Sequence, residues 1–236
     1  MKAAFGFLSS LPISGSPRRS TLGFFPVVGA VLGALIAGVG ILVGKVGAEP
    51  VAALAMLIAD LALTGLLHFD GLADCGDGLL PPLPPERRRQ VMKSPEIGAF
   101  GVAVVVAVML ARYVGFLELA VAGALWLIVP AWALSRLGMA ATLRWGRYLT
   151  EGGIGSYFDT AGMPGWLALG TAIVVFAAAW AIGGGRGEAV VAGVALGFGG
   201  TVLLAYRRIG GVTGDVIGAA GVVGETLGLL LGGLRW

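Results

Sequence analysis

Charge is what this chain has least of. Only 12% of its 236 residues are Asp, Glu, Lys or Arg, about half the share of a soluble domain, and 57% are hydrophobic with a mean hydropathy of +0.92. That excludes a water-soluble globule and leaves an integral membrane protein. Cysteine is nearly absent: Cys75 alone excludes an intramolecular disulfide. The formal charge of +3 rests on residues scattered over short loops and not on a basic patch, so nucleic acid is not an expected partner. A cleavable leader is not expected either, since the apolar stretch after Lys2 is short and broken at Pro12. Glycine is abundant instead, at 42 residues without a collagen period, a level typical of tightly packed transmembrane helices.

Apolar runs long enough for about 30 Å of hydrocarbon cover Leu22 to Gly44, Val51 to Leu67, Gly98 to Phe116, Leu119 to Ala140, Pro164 to Gly183 and Glu188 to Tyr206, and a seventh ends the chain. The expected fold is all-α: one domain over residues 1–236, a polytopic bundle of about seven transmembrane helices (six to eight). With a cytoplasmic N-terminus, inside segments hold Lys2, Arg18, Arg19, Arg87, Arg88, Arg89, Lys93, Arg136, Arg144, Arg147, Arg207 and Arg208, twelve of the sixteen basic residues. Positive loop charge fixes orientation in this sense. Lys45, Arg112, Arg186 and Arg235 are then expected outside or near helix ends. Small-xxx-small pairs such as Gly193/Gly197 and Gly224/Gly228 pack helices either within one chain or in a homo-oligomer.

The most informative stretch is Thr64-Gly-Leu-Leu-His-Phe-Asp-Gly-Leu-Ala-Asp-Cys-Gly-Asp-Gly78. On a helix, Asp70, Asp74 and Asp77 at i, i+4 and i+7 project within about 60° of one another. Carboxylates one turn apart repel by about 2–3 kcal/mol per pair at an effective dielectric near 20. A divalent cation removes that cost, and hard oxygen ligands with room for water and phosphate suit Mg²⁺, whose commonest partner chemistry is phosphoryl transfer. A solvated acidic loop is the plain alternative. His68 falls on another face, so either the backbone unwinds near Gly71 or His68 acts from the other side.

Elsewhere each polar residue has two readings. Arg18 and Arg19 bind phosphate or hold the N-terminus in the cytoplasm. Asp60, in the middle of a span, must face the bundle interior or be neutral, with a structural role favoured over a catalytic one. Thr213 and Asp215, in the glycine-rich turn Gly210 to Ala219, either cap the helix that follows or bind phosphate or metal with its free N–H groups. Glu225, inside the last span, is a candidate general base or a partner for a cationic or hydrogen-bonding group.

The acidic stretch resembles the T-G-G-x-H-x-D-G-L-A-D-x-x-D-G signature of the cobalamin synthase family, the adenosylcobinamide-GDP ribazoletransferases. Phe24-Phe-Pro-Val-Val-Gly29, Met92-Lys-Ser-Pro-Glu-Ile-Gly98 and Gly211-Val-Thr-Gly-Asp-Val-Ile-Gly-Ala219 resemble family segments in the same order. The resemblance implies a bacterial or archaeal inner-membrane enzyme that joins adenosylcobinamide-GDP to α-ribazole, or its 5′-phosphate, with release of GMP and a need for Mg²⁺, at an active site facing the cytoplasm. It implies metal ligation by Asp70, Asp74 and Asp77. Asp215 completes the metal shell or takes the nucleophile's proton, with His68 as the competing base, and Lys93, Arg136 and Arg18 are candidates for phosphate contacts. Two positions depart from the pattern. Leu66 replaces a second glycine, a change expected to be harmless in an apolar approach, and Ser94-Pro95 replaces Asp-Ser, which removes a phosphate or metal role there.

Two rivals remain. A CDP-alcohol phosphotransferase also carries an acidic D-G motif, but with different spacing and a following arginine that is absent here. A divalent-cation transporter would also need intramembrane acids such as Asp60 and Glu225, but spread along a path through the bilayer.

Overall fold

A computed structural model describes residues 1–13, 15, 20–149 and 162–234. Its elements are α1 (Lys2–Leu8), α2 (Phe25–Gly44), α3 (Glu49–Thr64), α4 (Leu67–Leu79), α5 (Pro85–Val91), α6 (Ala99–Val121), α7 (Ile128–Trp145), α8 (Gly165–Gly183), α9 (Gly185–Ile209) and α10 (Gly214–Gly233). The only extended pairing among the described residues is a bridge between Tyr148 and Val212. The all-α expectation holds. Among the described residues six helices are long and apolar enough to cross a membrane, seven if the bent pair α3–α4 is counted as one span.

Proline starts α2, α3 and α5, where a missing N–H costs nothing and φ is already helical. The bundle is organised around α10, of whose apolar stretch 78% is buried, against 11% for α8. Exposed Trp166, Leu169, Ile173, Val174 and Trp180 on α8 form an apolar surface suited to lipid. Glycine lets backbones meet. A Cβ at Gly197 would lie 2.8 Å from Gly224 Cα, and one at Gly193 2.7 Å from Gly228 N. These small-residue pairs are therefore used in the α9–α10 contact within one chain.

The second span does not run straight into the acidic motif. It stops at Thr64, and α4 leaves at 91° to α3. Gly65 and Leu66 both take left-handed backbone, φ 61° at each. Gly65 closes α3 in the usual way, but for Leu66 the same conformation crowds Cβ against the carbonyl. The glycine-to-leucine departure is therefore not neutral, because it falls on the one non-glycine residue with positive φ among those described. Leu66→Gly should raise stability by about 1 kcal/mol, read as a higher midpoint of thermal unfolding in detergent. An unchanged or lower midpoint would mean that Leu66 packing outweighs the strain.

After the bend, α4 lies across the end of the bundle. Its first half sits on the start of α10, with Gly71 against Asp215, and its second half on the start of α6, with Gly76 against Phe100 and Gly101. Two arginines sit elsewhere than expected. Arg112 lies in the body of α6, which runs on to Val121, and not near a helix end; Arg136 lies inside α7. Both are buried, so Arg136 is not a loop charge. Arg18 lies outside the described residues.

Candidate active site

The site is built where α4 meets α10. A Cβ at Gly71 would come within 2.8 Å of Asp215 Cα and its carbonyl oxygen, so only glycine permits the two helices to touch. That contact sets the α4 carboxylates beside Asp215. Helix α4 is continuous through Gly71, so Asp70, Asp74 and Asp77 do share a face, graded in depth from exposed Asp70 through half-buried Asp74 to buried Asp77. Asp74 feels the charges of Asp215, Asp70 and Asp77, and Asp215 feels that of Asp70. Among the described residues no ion pair reaches any of the four, since the three that occur involve only Asp60, Arg112, Arg136 and Glu225.

The four acids are not equivalent. Both oxygens of Asp77 are engaged: Gly98 N–H donates to Oδ2 at 2.6 Å and Gly101 N–H to Oδ1 at 2.8 Å. This carboxylate ties the end of α4 to the start of α6, capping that helix in the manner of an acidic N-cap from outside. Beyond it, buried Arg88 on α5 donates to the carbonyls of Gly78 and Leu79 at 2.9 and 2.8 Å, satisfying the last turn of α4. Thr213 is the N-cap of α10, accepting from Val216 N–H at 3.3 Å and donating to Asp215 Oδ2 at 3.3 Å. Asp70, Asp74 and Asp215 are left as neighbouring acids with no ion pair among the described residues.

Mg²⁺ characteristically takes one or two protein carboxylates and completes its shell with water and substrate phosphate. Among the described residues no three His, Cys, Asp or Glu side chains converge into a ready metal cluster. Unpaired, mutually repelling hard oxygen donors fit a cation that arrives with a phosphorylated ligand better than a permanently caged one.

His68 is buried on the opposite face of α4 from the acids, as its spacing demanded. A Cβ at Gly218 would meet its ring at 3.2 Å. It lines a narrow apolar cleft of about 90 Å³ together with Asp215, Phe7, Met139, Leu143 and Ile217. A polar cleft of about 510 Å³ opens at the other end of α4, against Asp77, Arg87, Gln90, Ser94 and Glu96. Lys93 is exposed on the segment between α5 and α6.

Glu225 and Arg136 belong to a separate arrangement, deeper in the bundle. Arg112 donates to Asp60 and, at 2.7 Å, to Glu225 Oε2, while Arg136 donates to Glu225 Oε1. Two acids and two bases thus compensate each other, all at most 2% exposed. The Arg112 guanidinium also lies 5.5 Å from the Phe69 ring and 5.1 Å from that of Trp132, within cation–π range. Phe69 neighbours His68 in the motif, so the network stands directly beneath α4. Sequence reasoning passed over Arg112; the clue was available, because Asp60 and Glu225 inside spans demand buried cations.

These positions fall in segments shared with known proteins. A family model described as cobalamin-5-phosphate synthase matches residues 1–233. The chain is 35% identical to the adenosylcobinamide-GDP ribazoletransferase of Chlorobaculum tepidum over 96% of this chain and 92% of that protein. It is likewise 35% identical to that of Chlorobaculum parvum, over 90% and 86%, and 34% identical to that of Brucella anthropi, over 94% and 91%. No solved structure matches the chain. Near-complete coverage by the family model and by relatives above 30% identity has one meaning: the chain belongs to the cobalamin-5-phosphate synthase family.

Proposed function

We propose that this chain is a membrane-bound adenosylcobinamide-GDP ribazoletransferase, and that its reaction takes place over α4. The ribose 3′-hydroxyl of α-ribazole, or of its 5′-phosphate, attacks the phosphorus next to cobinamide. A new O–P bond forms, the bridging P–O bond of the diphosphate breaks, GMP leaves, and the hydroxyl proton passes to a base. The single observation that carries this reading is the Gly71–Asp215 contact, which brings the motif acids and Asp215 to one end of the bundle.

Bound there, Mg²⁺ would neutralise charge on the diphosphate and on the departing phosphate. Asp70 and Asp74 are its first candidate ligands, with Asp215 completing the set. Asp77, held by two backbone amides, keeps α4 and α6 in register beneath it. Asp215 and His68 are the two candidate bases, and both border the apolar cleft. Exposed Lys93 on the neighbouring segment suits a phosphate contact. Glu225 and Arg136 satisfy each other and serve the framework of the site.

The same end of the bundle carries Arg87, Arg89, Lys93, Arg144, Arg147, Arg207 and Arg208, on α5 and at or just beyond the ends of α5, α7 and α9. Positive charge gathered at one end supports a cytoplasmic orientation of the site in a bacterial or archaeal inner membrane. The purified chain in detergent should release GMP from adenosylcobinamide-GDP only when α-ribazole and Mg²⁺ are both present, and EDTA should stop it. Release without α-ribazole would make the chain a hydrolase, and release unaffected by EDTA would remove the metal from the reaction. The acids inside the bundle, Asp60 and Glu225, are paired with arginines. Asp70, Asp74, Asp77 and Asp215, which have no ion pair among the described residues, lie at one end, which favours transfer over cation transport.

A further inference from the structure

Displacement at phosphorus requires the attacking and leaving oxygens to lie on opposite sides of the transferring group. A helix laid across the end of a bundle can satisfy this if its two ends receive different ligands, and the two ends of α4 differ in chemistry. Asp70 and Asp77 are separated by about 10 Å along the axis, room for a diphosphate between them over Asp74. At the first end the adjoining concavity is narrow and lined mainly by apolar groups such as Met139, Leu143 and Ile217, with His68, Tyr148 and Asp215 as its polar members. At the second it is wide and polar.

We infer that the two substrates address α4 from opposite ends: the flat base of the acceptor nucleoside enters the apolar cleft beside Asp215, and the guanine of the leaving nucleotide occupies the polar cleft beside Asp77. The assignment rests on the transferase reading above. Guanine offers acceptors at O6 and N7, which an arginine fork matches, and donors on its other edge, which a carboxylate accepts. The polar cleft supplies both partners, Arg87 and Glu96, with Gln90 held to Arg87 by a 3.1 Å hydrogen bond. The apolar cleft has His68, Tyr148 and Asp215 in its lining but no arginine fork for O6 and N7, and most of its wall is apolar. Guanine would therefore find fewer partners there than in the polar cleft. At about 90 Å³ the apolar cleft is also far too small for a corrin ring and suits at most the edge of one flat aromatic system. An acceptor seated there presents its ribose to Asp215 and His68, the candidate bases, and the nucleotide departs past Asp77.

The test is the separation of two Michaelis constants in the purified full chain. Arg87→Ala should raise KM for adenosylcobinamide-GDP and the inhibition constant of GMP about tenfold, narrowing the preference for GMP over AMP as inhibitor, while KM for α-ribazole stays within about twofold. Leu143→Trp should do the reverse, raising KM for α-ribazole about tenfold and leaving the constants for the nucleotide unchanged. Leu143→Ala, which only widens the cleft, should shift the α-ribazole KM alone, and serves if the larger side chain prevents folding. Constants that move together in either variant, or the wrong one moving, would overturn the assignment while wild-type GMP release keeps the transferase reading intact. A folded wild type that releases no GMP would sink that reading and this assignment with it.

Discussion

Arg112→Met should destabilise the folded protein by about 3–5 kcal/mol, the cost of leaving buried charges without their partner. Arg112 is the hub of the buried network: it serves Asp60, Glu225, the carbonyl of Val222 and the hydroxyl of Thr226. Its removal leaves Asp60 with no cation in contact and puts two carboxylates against Arg136 alone. Asp60 Oδ1 already has no hydrogen-bond partner among the described residues, so nothing nearby substitutes. The aromatic faces of Phe69 and Trp132 would lose their cation at the same time. Thermal unfolding in detergent should show the fall, and Arg112→Lys should recover only part, because an ammonium cannot reproduce the fork that reaches α3 and α10 together. The double variant Arg112→Met, Asp60→Asn removes the orphaned acid along with its partner and keeps the Arg136–Glu225 pair, so it should be milder than the single change. A stable Arg112→Met protein would mean that the network contributes no stability.

Asp74→Asn should produce the opposite pair of effects, a loss of activity with no loss of stability. Asp74 sits among the charges of Asp215, Asp70 and Asp77, and neutralising it relieves repulsion in the metal-free protein. The melting midpoint should hold or rise. GMP release should fall at least about 100-fold, the scale of removing one group that stabilises transition-state charge, and the Mg²⁺ concentration for half-maximal activity should increase. Asp77→Asn makes the control. It weakens the two hydrogen bonds from Gly98 and Gly101, so it should lower the melting midpoint as well as activity. Full activity and unchanged Mg²⁺ dependence in Asp74→Asn would exclude that residue as a ligand.

Asp74 and Asp77 also show how far residue spacing carries. Periodicity alone put both on one helical face with Asp70, and the helix is there. It could not say that Asp77 is occupied by amides twenty-one and twenty-four residues further on, because hydrogen bonds between distant segments leave no period in the chain. Arg136 was misplaced in a loop for a related reason. Polar residues at the end of an apolar run look like a membrane boundary, whereas a buried arginine paired with Glu225 continues the span. The break before α4 was hidden at Leu66, whose apolar side chain conceals a backbone conformation that glycine normally marks.

Composition and the lengths of the apolar runs determined that this is a helical membrane protein, since backbone polar groups in hydrocarbon must be satisfied within each helix. The order and spacing of the acidic and glycine-rich motifs determined its family. Only the tertiary structure decided which acids face one another without a cation and which are paired. Coulomb energy and desolvation depend on distances between helices, and these were set by the 91° turn at Gly65–Leu66 and by the absence of a side chain at Gly71.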